Sequence, residues 1–224
     1  MKKQPKAKRP GTFHRDEPDL PAEFESTDAP GQLFEATEMV RIQERQLQDL
    51  EQTSLKIDAL QVEGSLLERI QLSGAQLGSM VCKDVRLEGC DLANVRAHRV
   101  SFVRVELVEC RLTGFRATAL DWQDVLVRKG DLGYAQIFEG KFRNCEFDTC
   151  SWPEADLRQT DLSGSVFRSC NLTRADLRGA KLQNTDFRTS EVEGVVIGMT
   201  DLEGAIVDAA QAMVFARVLG LQIR

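Results

Sequence analysis

One residue class returns at every fifth position through most of this chain. Ile42, Leu47, Ile57, Val62, Leu67, Leu72, Leu77, Cys82, Leu87, Leu92, Ala97 and Phe102 open a series that continues to Leu202 and Val207. Gln52 alone breaks it. The chain is 42% hydrophobic, so chance does not hold such a column in register. A helix repeats its buried face at about 3.6 residues and a flat strand at about 2. A period of five fits neither. It fits a coil in which each five-residue step turns a corner and sends the same position inward, which is a solenoid.

A second column confirms the frame. Two residues before each central position lies another apolar or small residue. From residue 130 it reads Gly130, Ala135, Gly140, Cys145, Cys150, Ala155, Thr160, Ser165, Cys170, Ala175, Ala180, Thr185, Ser190, Val195, Thr200, Ala205. In the first half this column is bulkier, with Leu60, Ile70, Met80, Val100, Phe115 and Leu120. One large and one small inward position per five residues describe a narrow, filled interior. The other three positions are mostly charged, polar or Gly, as an outer surface requires.

The units Ala155-Asp156-Leu157-Arg158-Gln159, Thr160-Asp161-Leu162-Ser163-Gly164 and Ala175-Asp176-Leu177-Arg178-Gly179 resemble the A(D/N)LXX unit of the pentapeptide repeat family. The resemblance implies an all-β fold, a right-handed quadrilateral β-helix with four pentapeptides per coil. Residues 40–208 would then form a rod of roughly eight and a half turns, on the order of 40 Å long at the spacing of paired strands. Members of the family do different things, so the resemblance speaks to architecture more than to function.

Three regions follow. Residues 1–39 open with Lys2, Lys3, Lys6, Lys8 and Arg9, then turn acidic around Pro10, Pro18, Pro21 and Pro30. This reads as a mobile charged tail, with Leu20, Phe24 and Phe34 available to pin it. Residues 33–51 suit either an amphipathic helix or a first coil, and Val40 and Leu50 in the second column favour the coil. Residues 209–224 leave the frame. Asp208 suits an N-cap, 209–219 a capping helix, and Gly220 its C′ position, with Leu221-Gln222-Ile223-Arg224 as a short strand beyond. Met213 and Val214 are expected to face the open coil, as a solenoid end demands, and Phe215, Val218 and Leu219 to offer a dimer contact.

Composition limits the partners. The net charge is −6 and the pI near 5.1, which argues against direct nucleic-acid binding. No run of about 18 apolar residues exists to span a membrane, and the basic N-terminus lacks the apolar segment of a secretory signal. The expected location is the cytoplasm. The six cysteines fall in the inward columns, Cys90 over Cys110 and Cys150 over Cys170 at twenty residues per coil. They read as small buried hydrophobes rather than disulfides or metal ligands. No metal or cofactor is expected.

No catalytic set emerges. Asp131, Asp156, Asp161, Asp176, Asp186 and Asp201 take the repeat's own Asp/Asn position, where local backbone bonds explain them. Trp122, Trp152, Phe147, Phe167 and Phe187 read as core ladders, with Gly130 and Gly140 returning volume near Trp122. The frame leaves no projecting loop for chemistry. Two readings of function remain. Family precedent offers mimicry of duplex DNA at a type II topoisomerase such as gyrase, which needs a dense acidic surface. Residues 40–208 carry 27 acids against 21 bases, and arginines such as Arg158, Arg168, Arg178 and Arg188 interrupt the faces. The other reading is a protein-interaction scaffold of unnamed target. Its docking face is the weakly charged one bearing Gly133, Pro153 and Thr173, with Tyr134 and Phe138 as outward aromatics.

Overall fold

The computed structural model describes residues 13–25 and 38–222. The strands are β1 (Met39–Gln43), β2 (Gln46–Gln48), β3 (Lys56–Glu68), β4 (Gln76–Glu88), β5 (Arg96–Val108), β6 (Arg116–Arg128), β7 (Gln136–Ile137), β8 (Lys141–Arg143), β9 (Glu146–Asp148) and β10 (Val166–Arg168), followed by helix α1 (Ala209–Val218). All pairing is parallel with an offset of twenty residues. It carries Ile42 over Val62, Cys82, Phe102, Trp122 and Phe142, and isolated bridges extend it from Glu25↔Arg45 to Asp186↔Ile206. The chain is therefore a β-helix with four five-residue sides per coil. The 33–51 region follows the coil reading in its described part, since β1 and β2 pair with β3.

Both inward columns are buried from Ile57 to Ile197, and they form one continuous core. Stacking by coil makes aromatic ladders: Phe147 lies 4.7 Å from Phe167, Phe167 lies 5.1 Å from Phe187, and Phe102 lies 5.2 Å from Trp122. Gly130 and Gly140 make room for Val127 and Ile137, whose methyls stand 2.6 Å from where a Cβ would be. Their relief thus reaches Trp122 only indirectly, through neighbours such as Phe142. The indole N–H groups of Trp122 and Trp152 are buried with no acceptor among the described residues, a cost of about 1–3 kcal/mol each.

The corners come in two kinds. In most, the residue before the inward small position is left-handed, with φ from 50° at Ser169 to 78° at Gly204. Many of these turns are held by an Asx side chain. Asp91, Asp131, Asp161 and Asn171 each accept, through Oδ1, the N–H two residues on, at 2.8–3.1 Å. This is the Asx-turn chemistry that favours Asp and Asn here. On one edge of the first coils both the Asx residue and the left-handed corner are missing. Lys56, Gln76, Arg96 and Arg116 occupy the Asx position, and β3 to β6 run straight past Ala59, Ser79, Arg99 and Ala119 without a left-handed residue. The inward residues there are Leu60, Met80, Val100 and Leu120, all buried. On the same edge Gly140, Thr160 and Ala180 replace them further on, and the tight corner returns at Glu139, Gln159 and Gly179. Small inward residues permit the tight turn here; large ones hold the wall open.

Two terminal regions differ from expectation. Residues 13–25 lie along the rod rather than hanging from it. Arg15 pairs with Glu106 at 2.7 Å, with both side chains nearly buried. The Asp19 N–H donates to Asp84 at 3.0 Å, and Glu25 pairs with Arg45 at 2.9 Å. The segment satisfies charges that the wide coils leave inward-tilted: Asp84 and Asp124 are 7% and 5% exposed. Burial would raise the Asp84 carboxyl, but hydrogen bonds from Arg104 and the Asp19 amide outweigh it and hold it below the ordinary range. The basic run within 2–9, Leu33 and Phe34, and residues 223–224 lie outside the described residues.

At the other end, α1 caps the rod with Gln211 and Phe215, and Val214 packs partly buried against the core as expected, while Met213 is exposed. Asp208 and Gln211 form a capping box, with Gln211 N–H to Asp208 Oδ1 at 2.9 Å and Asp208 N–H to Gln211 Oε1 at 3.0 Å. The Gln211 amide then donates to the carbonyls of Phe187 at 2.5 Å and Ser190 at 2.7 Å. These carbonyls lie just past the final bridge, Asp186↔Ile206, where the chain leaves the repeat. Phe215 is buried in the core and is not available as a dimer contact; Val218 and Leu219 stay at least partly exposed.

Candidate interaction surfaces

Tyr134 sits at the left-handed corner of its turn, with φ 57°, so its side chain points away from the core and is 55% exposed. Its N–H donates to the Pro153 carbonyl at 2.9 Å, and the Pro153 ring lies under Gly133, 3.2 Å from where a Cβ would be. Tyr134 and Pro153 therefore share one face in adjacent coils. Phe138 lies on the next side, just before Gly140, and is 43% exposed. Val218 and Met213 are exposed on α1, with Leu221 beyond it and Met199 and Ile206 exposed on the last turns.

Charge on the rod is largely cancelled in pairs. In the tight coils Arg158, Arg178 and Arg188 each fork onto the aspartate two residues earlier, Asp156, Asp176 and Asp186, at 2.6–2.9 Å. Those guanidinium bonds hold the three carboxyls below their ordinary range. In the wide coils the pairs span neighbouring coils, as in Arg69–Asp49, Lys83–Glu63, Arg104–Asp84, Arg111–Asp91 and Lys129–Glu109. The arginine columns are thus not bare positive ladders but zwitterionic ones.

Sequence reasoning missed the exception. Along the open edge a shallow, open groove of about 600 Å³ is lined by Lys56, Asp58, Arg96, His98, Arg116 and Thr118, among others. Among the described residues, Lys56, Arg96, Arg99 and Arg116 have no ion-pair partner, and all four are exposed. The signal was present in the repeat itself: this column sets Lys56, Gln76, Arg96 and Arg116 where its later coils have Asp156 and Asp176.

The six cysteines are buried free thiols. Burial pushes the Cys145 thiol up to about 12 and the Cys82 thiol higher still, so neither supplies a nucleophile at neutral pH. Among the described residues no three His, Cys, Asp or Glu are grouped to hold a metal ion, and no helix is long and apolar enough to cross a membrane.

Comparison with known proteins follows the same lines. A family model described as Pentapeptide repeats matches residues 81–116, 154–188 and 170–207, with eight copies. No curated protein matches the chain. Among solved structures, HetL, a pentapeptide repeat protein involved in heterocyst differentiation regulation from the cyanobacterium Nostoc sp. strain PCC 7120, is 18% identical. The match covers 75% of this chain and 92% of HetL, with a TM-score of 0.38. A trypsin-treated variant of QnrB1, a plasmid-mediated fluoroquinolone resistance protein, is 17% identical over 84% of this chain and 96% of its own, with a TM-score of 0.40. The repeat copies coincide with coils whose Asx turns and inward Leu and Phe columns are described above, and over those residues the chain is built of pentapeptide repeats.

Proposed function

We propose that this protein is a non-enzymatic, cytoplasmic scaffold that docks a protein partner. The observation that carries this reading is the exposure of Tyr134 and Phe138 on a rod whose charges are otherwise mostly paired. Exposed aromatics near small, uncharged residues such as Gly133 and Pro153 are the composition of binding hot spots. A homodimer through the outer face of α1, using Val218 and Leu219, belongs to the same proposal.

Mimicry of DNA at gyrase is the competing reading. It asks for unpaired acids in regular array, and Asp156, Asp176 and Asp186 are held by arginines instead. The test pairs two assays. Partner capture from native cells should be lost with Tyr134→Ser/Phe138→Ser, while the variant keeps the circular dichroism of the wild type. Capture that does not depend on these residues would sink the scaffold reading at this face. Inhibition of gyrase supercoiling that weakens with salt and vanishes in Asp156→Lys/Asp176→Lys would replace it with mimicry. Sedimentation of wild type and Val218→Asp tests the dimer; a wild-type monomer refutes that part.

A further inference from the structure

We propose that the open edge of the first coils is a binding groove for a short acidic peptide segment of a partner protein. The proposal rests on the scaffold reading and names where and by what chemistry part of that partner is held. Register places Arg96 over Gln76 and under Arg116, with Lys56 beyond. Successive coils are about 4.8 Å apart, so Lys56 to Arg116 spans about 14 Å along the rod. An extended peptide places same-face carboxylates roughly 7 Å apart, so two or three of them meet this cationic row. The groove follows from the bulky inward residues Leu60, Met80, Val100 and Leu120, which hold the strands straight past this edge and leave the wall open. Lys56, Arg96 and Arg116 stand there without an ion-pair partner among the described residues. Gly78 keeps its floor close-packed, since a Cβ there would stand 2.5 Å from the Asp58 carbonyl oxygen.

The ends of the row select for a short ligand. Asp58 lines one end. On the same edge the next coils bring Gln136, then Asp156 and Asp176. A nucleic-acid duplex continuing along the rod would leave the unpaired cations and meet the charge-balanced pairs of Asp156 with Arg158 and Asp176 with Arg178, against a net charge of −6. A short peptide ends before it does. Screening over about 8 Å at physiological salt confines the attraction to the groove itself.

The test is fluorescence anisotropy of a fluorescein-labelled octa-glutamate peptide with the full-length chain. Binding should weaken about tenfold or more as salt rises from about 50 to about 300 mM. Arg96→Glu/Arg116→Glu should weaken it at least about tenfold at low salt, while Arg178→Glu, which removes a cation already paired with Asp176, should change it less than about threefold. Thermal melts confirm that each variant folds. No binding at low salt, or binding indifferent to Arg96 and Arg116, overturns the proposal. Tighter binding of an oligothymidylate of equal charge overturns it in favour of a nucleic acid. Either failure, with partner capture through Tyr134 and Phe138 intact, removes the groove and leaves the scaffold standing.

Discussion

Gln211→Ala should unfasten the C-terminal end of the rod and leave its middle untouched. The Gln211 side chain is 4% exposed and donates to two carbonyls of the last coil, Phe187 and Ser190. The Phe187 carbonyl also accepts the Ser190 N–H at 3.0 Å, so it keeps a partner in the variant. The Ser190 carbonyl is the one orphaned, at about 1–3 kcal/mol. Loss of the reciprocal half of the capping box adds about 1 kcal/mol. The total is roughly 2–4 kcal/mol, and each 1.4 kcal/mol is about tenfold in an opening equilibrium. In a solenoid each coil touches only its neighbours, so the loss should appear as local opening. Native-state hydrogen exchange should therefore speed up by about 30-fold or more for α1 and the amides near Phe187 and Ser190, with no change in β4 and β5. An increase below about threefold, or one spread evenly along the rod, would refute the argument that Gln211 closes the last coil.

Three further outcomes are expected. Phe167→Asp should fail to fold by circular dichroism, because it sets an unpaired charge between Phe147 and Phe187 in the aromatic ladder. The carboxyls of Asp156, Asp176 and Asp186 are depressed in the fold by their arginines, so their contribution is present above the ordinary carboxylate pKa of about 4 and is lost as pH falls through the lower folded values. The triple Asn variant should show a shallower decline of the urea-unfolding free energy between about pH 4.5 and 2, by less than about 1 kcal/mol per pair given their exposure; coincident acid limbs would refute this. All six thiols should resist a thiol-reactive disulfide reagent in the native protein and react after denaturation, while a native Cys90–Cys110 or Cys150–Cys170 bridge seen by mass spectrometry without reductant would contradict the free-thiol core.

The period of five was enough to place both inward columns, since a solenoid interior has no other solution for apolar residues at that spacing. What it did not reveal were contacts made outside the repeat. Arg15 finds Glu106 across 91 residues of sequence, and nothing in a Pro-rich acidic stretch announces such a partner. The cap was sought among apolar residues, yet a terminal coil exposes carbonyls as well as side chains, so a buried amide at Gln211 answers a need that hydropathy does not register. Tyr134 and Phe138 were legible as outward because their positions in the repeat are outward. The groove was legible too, but only by reading two columns together: Lys56, Arg96 and Arg116 set cations where later coils have Asp, and Leu60, Met80, Val100 and Leu120 set bulk where later coils have Gly, Thr and Ala.

That column also sets stability against binding. Arg96 and Arg116 are directly opposed in register, and like charges across a parallel pair are destabilising by a few tenths of a kcal/mol or more. Other columns alternate sign between coils, as at Asp49 and Arg69 or Asp84 and Arg104, and where Asp156 stacks on Asp176 each carboxylate carries its own arginine. Arg96→Glu would restore the alternation, placing a carboxylate beneath Arg116. It should remove one repulsion and add one exposed ion pair of about 0.2–1 kcal/mol, raising the urea midpoint slightly. The same substitution should weaken the groove's hold on octa-glutamate. A fold that keeps a locally unfavourable charge where a favourable one fits is departing from internal consistency, and such departures gather at functional surfaces. If Arg96→Glu instead lowers the urea midpoint, the cation row stabilises the fold, and the trade between stability and binding argued for this edge is wrong.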